Sequence, residues 1–474
     1  MIKLNVARTC VSGPHHAPAG AGRDMGMLPG AIGRRAVLKL LPAALLARSA
    51  PALSCAGPAR RAFPAGFLWG AATAGHQVEG NNVNSDIWVL EHVRPTIFRE
   101  PSGDACDSLH RWAEDLDLAR GLGLNAYRFS LEWARIEPAE GRFSIAMLDH
   151  YKRIIDGCRA RGMAPVVTFN HFTCPSWFAA RGGWSAAAAP RLFGRYCGIA
   201  SRHLGAGISH ALTLNEPNIT QVLRWLFPSP EFVSVRRAML SAAARATGSR
   251  RFVTGLVATD ADAAAMVAPM IDAHVRGFEA IKAERPELPV AASISVSDDQ
   301  AVGPRSRVEE KRRQVYAAWL MALRNTADFV GVQNYDRTRI DAKGMLPPPV
   351  GARMNHKGLE IYPASLAAAV RYVHQATNKP ILVTENGLNT DDDSLRAAYI
   401  PEVLAGLHQA MAEGVPVIGY IHWSLLDNYE WSLGYDYQYG LFAVDRKTFA
   451  RAAKPSAGVL AAIARANALH GKAG

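Results

Sequence analysis

A single (β/α)8 (TIM) barrel of the α/β class is the fold the sequence predicts, on three observations. Eight short apolar runs of strand length follow residue 62, stretches of helical period separate them, and polar or aromatic residues collect at the carboxyl ends of the runs. Alternation of the two periods reads as successive βα units on a parallel sheet. Eight such units in one stretch of this length fit a closed barrel better than a doubly wound sheet.

The eight strand stretches are "FLWGAATA" (67–74), "LNAYRFSLEW" (124–133), "MAPVVTFNHF" (163–172), "HALTLNEPN" (210–218), "PVAASISV" (289–296), "DFVGVQNY" (328–335), "PILVTENG" (380–387) and "VIGYIHWSLLDN" (417–428). Between them "LDHYKRIIDGCRARG" and "IPEVLAGLHQAMAEG" have helical period, and the second stops at Gly414, a usual C-terminal signal. The Ala-rich stretch 241–266 predicts a helical excursion between strands four and five. With neither an internal repeat nor a linker, residues 62–465 form one predicted domain.

Charge separates that domain from what precedes it. The chain of 474 residues carries a formal +12. Half of the excess lies in residues 1–56, where Lys3, Arg8, Arg23, Arg34, Arg35, Lys39 and Arg48 face only Asp24. The rest is spread without a dense basic run, which argues against nucleic-acid binding. "GRRAVLKLLPAALLARSAPALSCA" has paired arginines, a short apolar stretch and then small residues, and resembles a twin-arginine export signal. Residues 1–56 are therefore expected to be a leader, removed after about Ala52, with the mature protein in the periplasm. Cys55 offers a weaker signal for lipid attachment. No run of about 18 uncharged apolar residues predicts a membrane span. Six scattered cysteines give neither a disulfide framework nor a metal motif, so no metal or cofactor is expected.

Catalytic groups of such barrels stand at the carboxyl ends of the strands. Here those ends carry Gln77, Arg128, His171, Asn215 with Glu216, Tyr335, Glu385 and Trp423. Any one of them alone reads as turn chemistry or a satisfied core residue. Seven of eight ends so equipped point to a polar, aromatic-lined site. Two carboxylates on strands four and seven face each other nearly across such a barrel, and without metal ligands they suit glycoside hydrolysis. The apolar run before Glu216 should desolvate it and raise its pKa, as a general acid requires. Arg128 and Tyr335 should hold Glu385 ionised as a nucleophile. Trp423, Trp431 and Trp177 offer faces for a sugar ring, while Gln77, His171, Asn215 and Glu430 can bond its hydroxyls.

The motifs "FLWGAATAGHQVEG", "NAYRFSLEWARIEP", "TFNHFTCPSWF", "TLNEPN", "GVQNY", "VTENG" and "WSLLDNYEWSLGYDYQYGLFAVD" together resemble glycoside hydrolase family 1, the retaining β-glucosidase family, over residues 62–465. That resemblance implies Glu216 as acid/base and Glu385 as nucleophile. It also implies Gln77, His171, Asn215, Trp423, Glu430 and Trp431 around the non-reducing-end sugar, with Arg128 and Tyr335 supporting Glu385. A small β-glycoside is the implied partner. Three departures stand out. His76 replaces an aromatic residue, Gln333-Asn334-Tyr335 stands where "NYY" is usual, and "QYGL" (438–441) stands for "RFGL". The segment 91–107 is either a rim against the leaving group or a structural loop.

Competing readings are weaker. A sugar-binding barrel without catalysis does not need both carboxylates, and a purely structural protein does not need the polar strand ends. A phospho-glycosidase needs a cationic cradle where Glu430-Trp431 stands. Galactosidase or fucosidase specificity on the same scaffold stays open, as do the leaving group and the oligomeric state.

Overall fold

All eight expected strands form, each inside its expected stretch. They are β1 (Leu68–Ala72), β2 (Ala126–Ser130), β3 (Ala164–Asn170), β4 (His210–Asn215), β5 (Val290–Ser295), β6 (Val330–Gln333), β7 (Ile381–Asn386) and β8 (Val417–Trp423). Every strand pairs in parallel with its sequence neighbours, and β8 closes on β1 through Gly419–Leu68 to Trp423–Ala72. The computed structural model describes residues 61–226 and 230–469. The expected leader at 1–56, with its paired arginines and Cys55, lies outside the described residues.

The strands are buried along nearly their whole length, because helices cover the outside and side chains fill the inside. The principal outer helices are α1 (Ser108–Gly121), α2 (Ile145–Ala160), α3 (Ala189–Leu204), α4 (Asp260–Glu284), α5 (Ala318–Asn325), α6 (Ser365–Thr377), α7 (Asp393–Ala412) and α8 (Pro455–Ala466). Local chemistry sets their ends. Thr259 caps α4 by accepting from Asp262 N at 3.1 Å, and Ser144 caps α2. Asn378 and Asn467 end α6 and α8 at φ 55° and 46°, in the left-handed region that stops a helix. Among the described residues no helix is long and apolar enough to cross a membrane.

The excursion after β4 is helical, as expected, but in two pieces. Residues 241–266 are not one helix: Pro230–Ala246 and α4 flank an irregular segment. Gly248 turns the chain at φ 64°, and Thr247 folds its hydroxyl back onto Ala243 O, so alanine content alone misreads the boundary. A second irregularity is informative. Gly331 of β6 faces Ser293 of β5 so closely that a Cβ would come within 2.7 Å of the serine Cβ. That close approach brings the ends of β4, β5 and β6 together, where the polar residues gather.

Candidate active site

Arg128 organises the centre. It lies within β2 rather than at its end, fully buried, and reaches across the barrel. Its Nη1 is 2.5 Å from Glu385 Oε1 and 3.1 Å from Thr384 O, its Nη2 is 2.6 Å from Asn215 Oδ1, and its Nε is 3.2 Å from Thr168 Oγ1. A buried guanidinium needs its donors satisfied, and its fork ties β2, β3, β4 and β7 in one plane.

Glu385 is the penultimate residue of β7 and is 4% exposed. Its Oε1 accepts from Arg128 and, at 2.8 Å, from Gln333 Nε2, while Oε2 accepts from the Tyr335 hydroxyl at 2.6 Å. Burial raises its pKa, and Arg128, Tyr335 and Gln333 pull it back down. The net direction is upward, which corrects the expectation that the two partners alone set the charge: in a dry barrel mouth, desolvation exceeds them. Glu216 follows β4 directly, at φ 41°, a strained conformation for a glutamate, with its N–H on Ser293 O. Burial first, and the Glu385 carboxylate second, push Glu216 well above the ordinary glutamate value. The neighbourhood of two carboxylates thus has one held by a cation and a phenol, and one that burial and its neighbour push toward the protonated form.

The expected sugar-binding residues converge on the same mouth. Asn215 Oδ1 accepts from Arg128, from Gln333 Nε2 (2.7 Å) and from Ser293 Oγ (3.2 Å), which fixes the amide and turns Nδ2 toward His171 Nε2 at 3.3 Å. His171 follows β3; burial keeps its imidazole neutral, and its Nδ1 is buried without a protein partner. Gln77 lies on the one-turn helix Gly75–Val78 after β1, with Nε2 on Tyr429 O at 2.8 Å and Oε1 unpartnered. Orphaned buried polar atoms of this kind are free to bond water or a ligand hydroxyl. Trp423 ends β8 and donates from Nε1 to Glu430 Oε1 at 3.3 Å. Burial pushes Glu430 up to about 8. Trp431 follows, stacked near His171.

Trp177 is not part of this mouth as placed. Its indole N donates to Glu137 O, and its ring packs edge-on against Trp133 in the outer layer. The segment 91–107 braces the loop that carries Glu430 and Trp431: Tyr429 donates to Glu100 O at 2.8 Å, and Tyr435 donates to Ser102 O. Two site residues escaped the sequence reading. Gln333 was singled out only as a departure, and Ser293 is a serine in an apolar strand whose inward register "VAASIS" was the one available signal.

Comparison with known proteins agrees with this fold. Residues 59–469 match the profile of glycosyl hydrolase family 1. The human cytosolic β-glucosidase is 30% identical, over 86% of this chain and 99% of its own length. The structure of a β-glycosidase, BGL167, superposes with a TM-score of 0.80 at 47% identity, covering 86% of this chain and 98% of that one. The apo structure of β-glucosidase 1317 gives 0.81 at 43% identity, over 84% and 98%.

Proposed function

The chain belongs to glycosyl hydrolase family 1 and is a glycosidase, and from that premise we propose that it cleaves β-O-glycosidic bonds at the non-reducing end of a small glycoside, with retention of configuration. The observation that carries the reading is the unequal treatment of the two carboxylates. Glu385 accepts three hydrogen bonds, one from a guanidinium, while Glu216, desolvated and beside a carboxylate, has its pKa pushed well above the ordinary value.

In the first step a Glu385 oxygen attacks the anomeric carbon, and Glu216 gives its proton to the departing glycosidic oxygen. The bond to the leaving group breaks as the bond to Glu385 forms. Once Glu385 is esterified its negative charge is gone, and Glu216 loses the neighbour that raised its pKa. It can then take a proton from water, which attacks the same carbon and releases Glu385. Asn215 Nδ2, aimed by the three donors on its oxygen, would hold the sugar 2-hydroxyl, a contact that tightens in the transition state. Gln77 Oε1, His171 Nδ1 and the protonated Glu430 supply acceptors and donors for the other hydroxyls, with Trp423 and Trp431 as apolar walls.

β-Glucosidase activity is the favoured specificity, supported by the names of the relatives; β-galactoside and β-fucoside turnover are the alternatives on the same scaffold. A panel of p-nitrophenyl glycosides decides among them. The expected result is highest kcat/KM on the β-glucoside, and β-retained product by proton NMR of the first turnover. Turnover of α-glycosides only would overturn the reading.

A further inference from the structure

Four rings lie nearly parallel along one wall of the mouth. His76 is 5.7 Å from Trp431 with 4° between the planes, Trp431 is 6.2 Å from His171 at 14°, and His171 is 5.7 Å from Trp423 at 16°. Three of the four belong to the proposed sugar site. His76 does not, and it is one of the positions where this chain departs from the family pattern.

His76 is held at both ends. Its backbone N–H donates to Glu132 Oε1 at 2.9 Å, and its ring Nε2 meets Glu91 Oε1 at 2.9 Å with both side chains out of solvent. Glu91 Oε2 is itself fixed by Ser102 N (3.0 Å) and Ser102 Oγ (2.8 Å). Trp431, by contrast, starts a short turn with its backbone at φ 51°, strained for a bulky residue, so ring packing has to define its plane. Phe172, edge-on at 5.4 Å, closes the other contact.

We propose that His76 is a positioning residue for Trp431: clamped by Glu91, its imidazole sets the plane of the indole against which the sugar ring binds. The inference rests on the sugar-site reading given above. Burial works against a charged imidazole, yet the Glu91 carboxylate raises its pKa above the usual value. The ring stacked on Trp431 is thereby biased toward its charged form, and charge there adds attraction to the indole face beyond stacking alone.

The test is a pair of double-mutant cycles on the aryl β-glycoside turned over fastest, with melting temperatures alongside. His76→Ala should lower kcat/KM about tenfold, mainly through KM, because a displaced wall misplaces the sugar. In a Trp431→Ala background the same change should matter less than about twofold, since the residue it acts through is gone. In a Gln77→Ala background it should keep its full effect, which separates Trp431 from the adjacent glutamine. His76→Phe should recover most of the loss, and Glu91→Gln should fall between. Should His76→Ala not fold, Glu91→Gln carries the same cycles. Equal losses with and without Trp431 would overturn the positioning role. A Trp431→Ala enzyme with unchanged kcat/KM would instead remove the sugar-site reading beneath it.

Discussion

Gln333 places one amide nitrogen 2.8 Å from Glu385 Oε1 and 2.7 Å from Asn215 Oδ1, so the side chain that replaces the usual residue on β6 joins Glu385 to the amide beside Glu216. Arg128 spans the same two oxygens. Two donors sharing two acceptors make a closed buried network, in which losing one member strands the others. Gln333→Ala should therefore lower kcat/KM by about a hundredfold and also lower the melting temperature by a few degrees, since the stranded groups are buried. Steady-state kinetics and a thermal melt check this; a loss of stability with normal kinetics in the surviving fold would show a structural role instead.

The two carboxylates should separate by leaving group. Protonation assists a poor leaving group far more than an acidic phenol. Glu216→Ala should retain appreciable glycosylation on a dinitrophenyl glycoside, lose alkyl glycosides almost wholly, and regain turnover with azide to give a β-glycosyl azide. Glu385→Ala should lose both substrates by several orders of magnitude. Exchange of these two patterns would reverse the assignment.

How much of this was legible in the sequence depends on range. The strands were legible because each is a local apolar run with turn residues at its end, and Asn215-Glu216-Pro217 marked one mouth residue pair directly. Trp177 was not, since only packing against Trp133 shows that its ring belongs to the outer layer. Nor was the partnership of His76 with Trp431, whose positions lie far apart in the chain and share no local pattern. Glu91 and Glu132 carry no distinguishing signal in the sequence, and only burial reveals what they hold. Arg128 was placed at a strand end by its motif, whereas the register puts it inside, where it reaches four strands.

pH dependence of activity follows from Glu216. Burial and the Glu385 carboxylate raise its pKa well above the ordinary glutamate value, so kcat/KM should fall on the basic side as that proton leaves. Glu216→Ala, assayed on the dinitrophenyl glycoside, should show that basic limb flattened. A limb unchanged in the variant would assign it to another group.

Stability should respond to Glu430. Its folded pKa of about 8 lies above the unfolded value of 4.5, so the folded state binds the extra proton between those pH values. Stability linked to this group is complete below about pH 4.5 and is lost as pH rises through 8. Glu430→Gln should thus melt about 2–5 °C higher than the parent at pH 9 and equally at pH 4. A melting difference independent of pH would contradict the assignment.

Export of the leader is a separate expectation. Fractionation and N-terminal sequencing from a host with twin-arginine transport should find a chain beginning near residues 53–60 outside the cytoplasm. An intact Met1 in the cytoplasm would refute it.

The central claim is that Glu385 becomes covalently bonded to the sugar. A 2-deoxy-2-fluoro β-glycoside with a dinitrophenolate leaving group slows release of the intermediate more than its formation, and so traps it. Intact-mass spectrometry should show one sugar per chain, and peptide mapping should place it on Glu385, with label absent in Glu385→Ala and present in Glu216→Ala. Label on any other residue, or no label with release of the inverted sugar, would contradict the account.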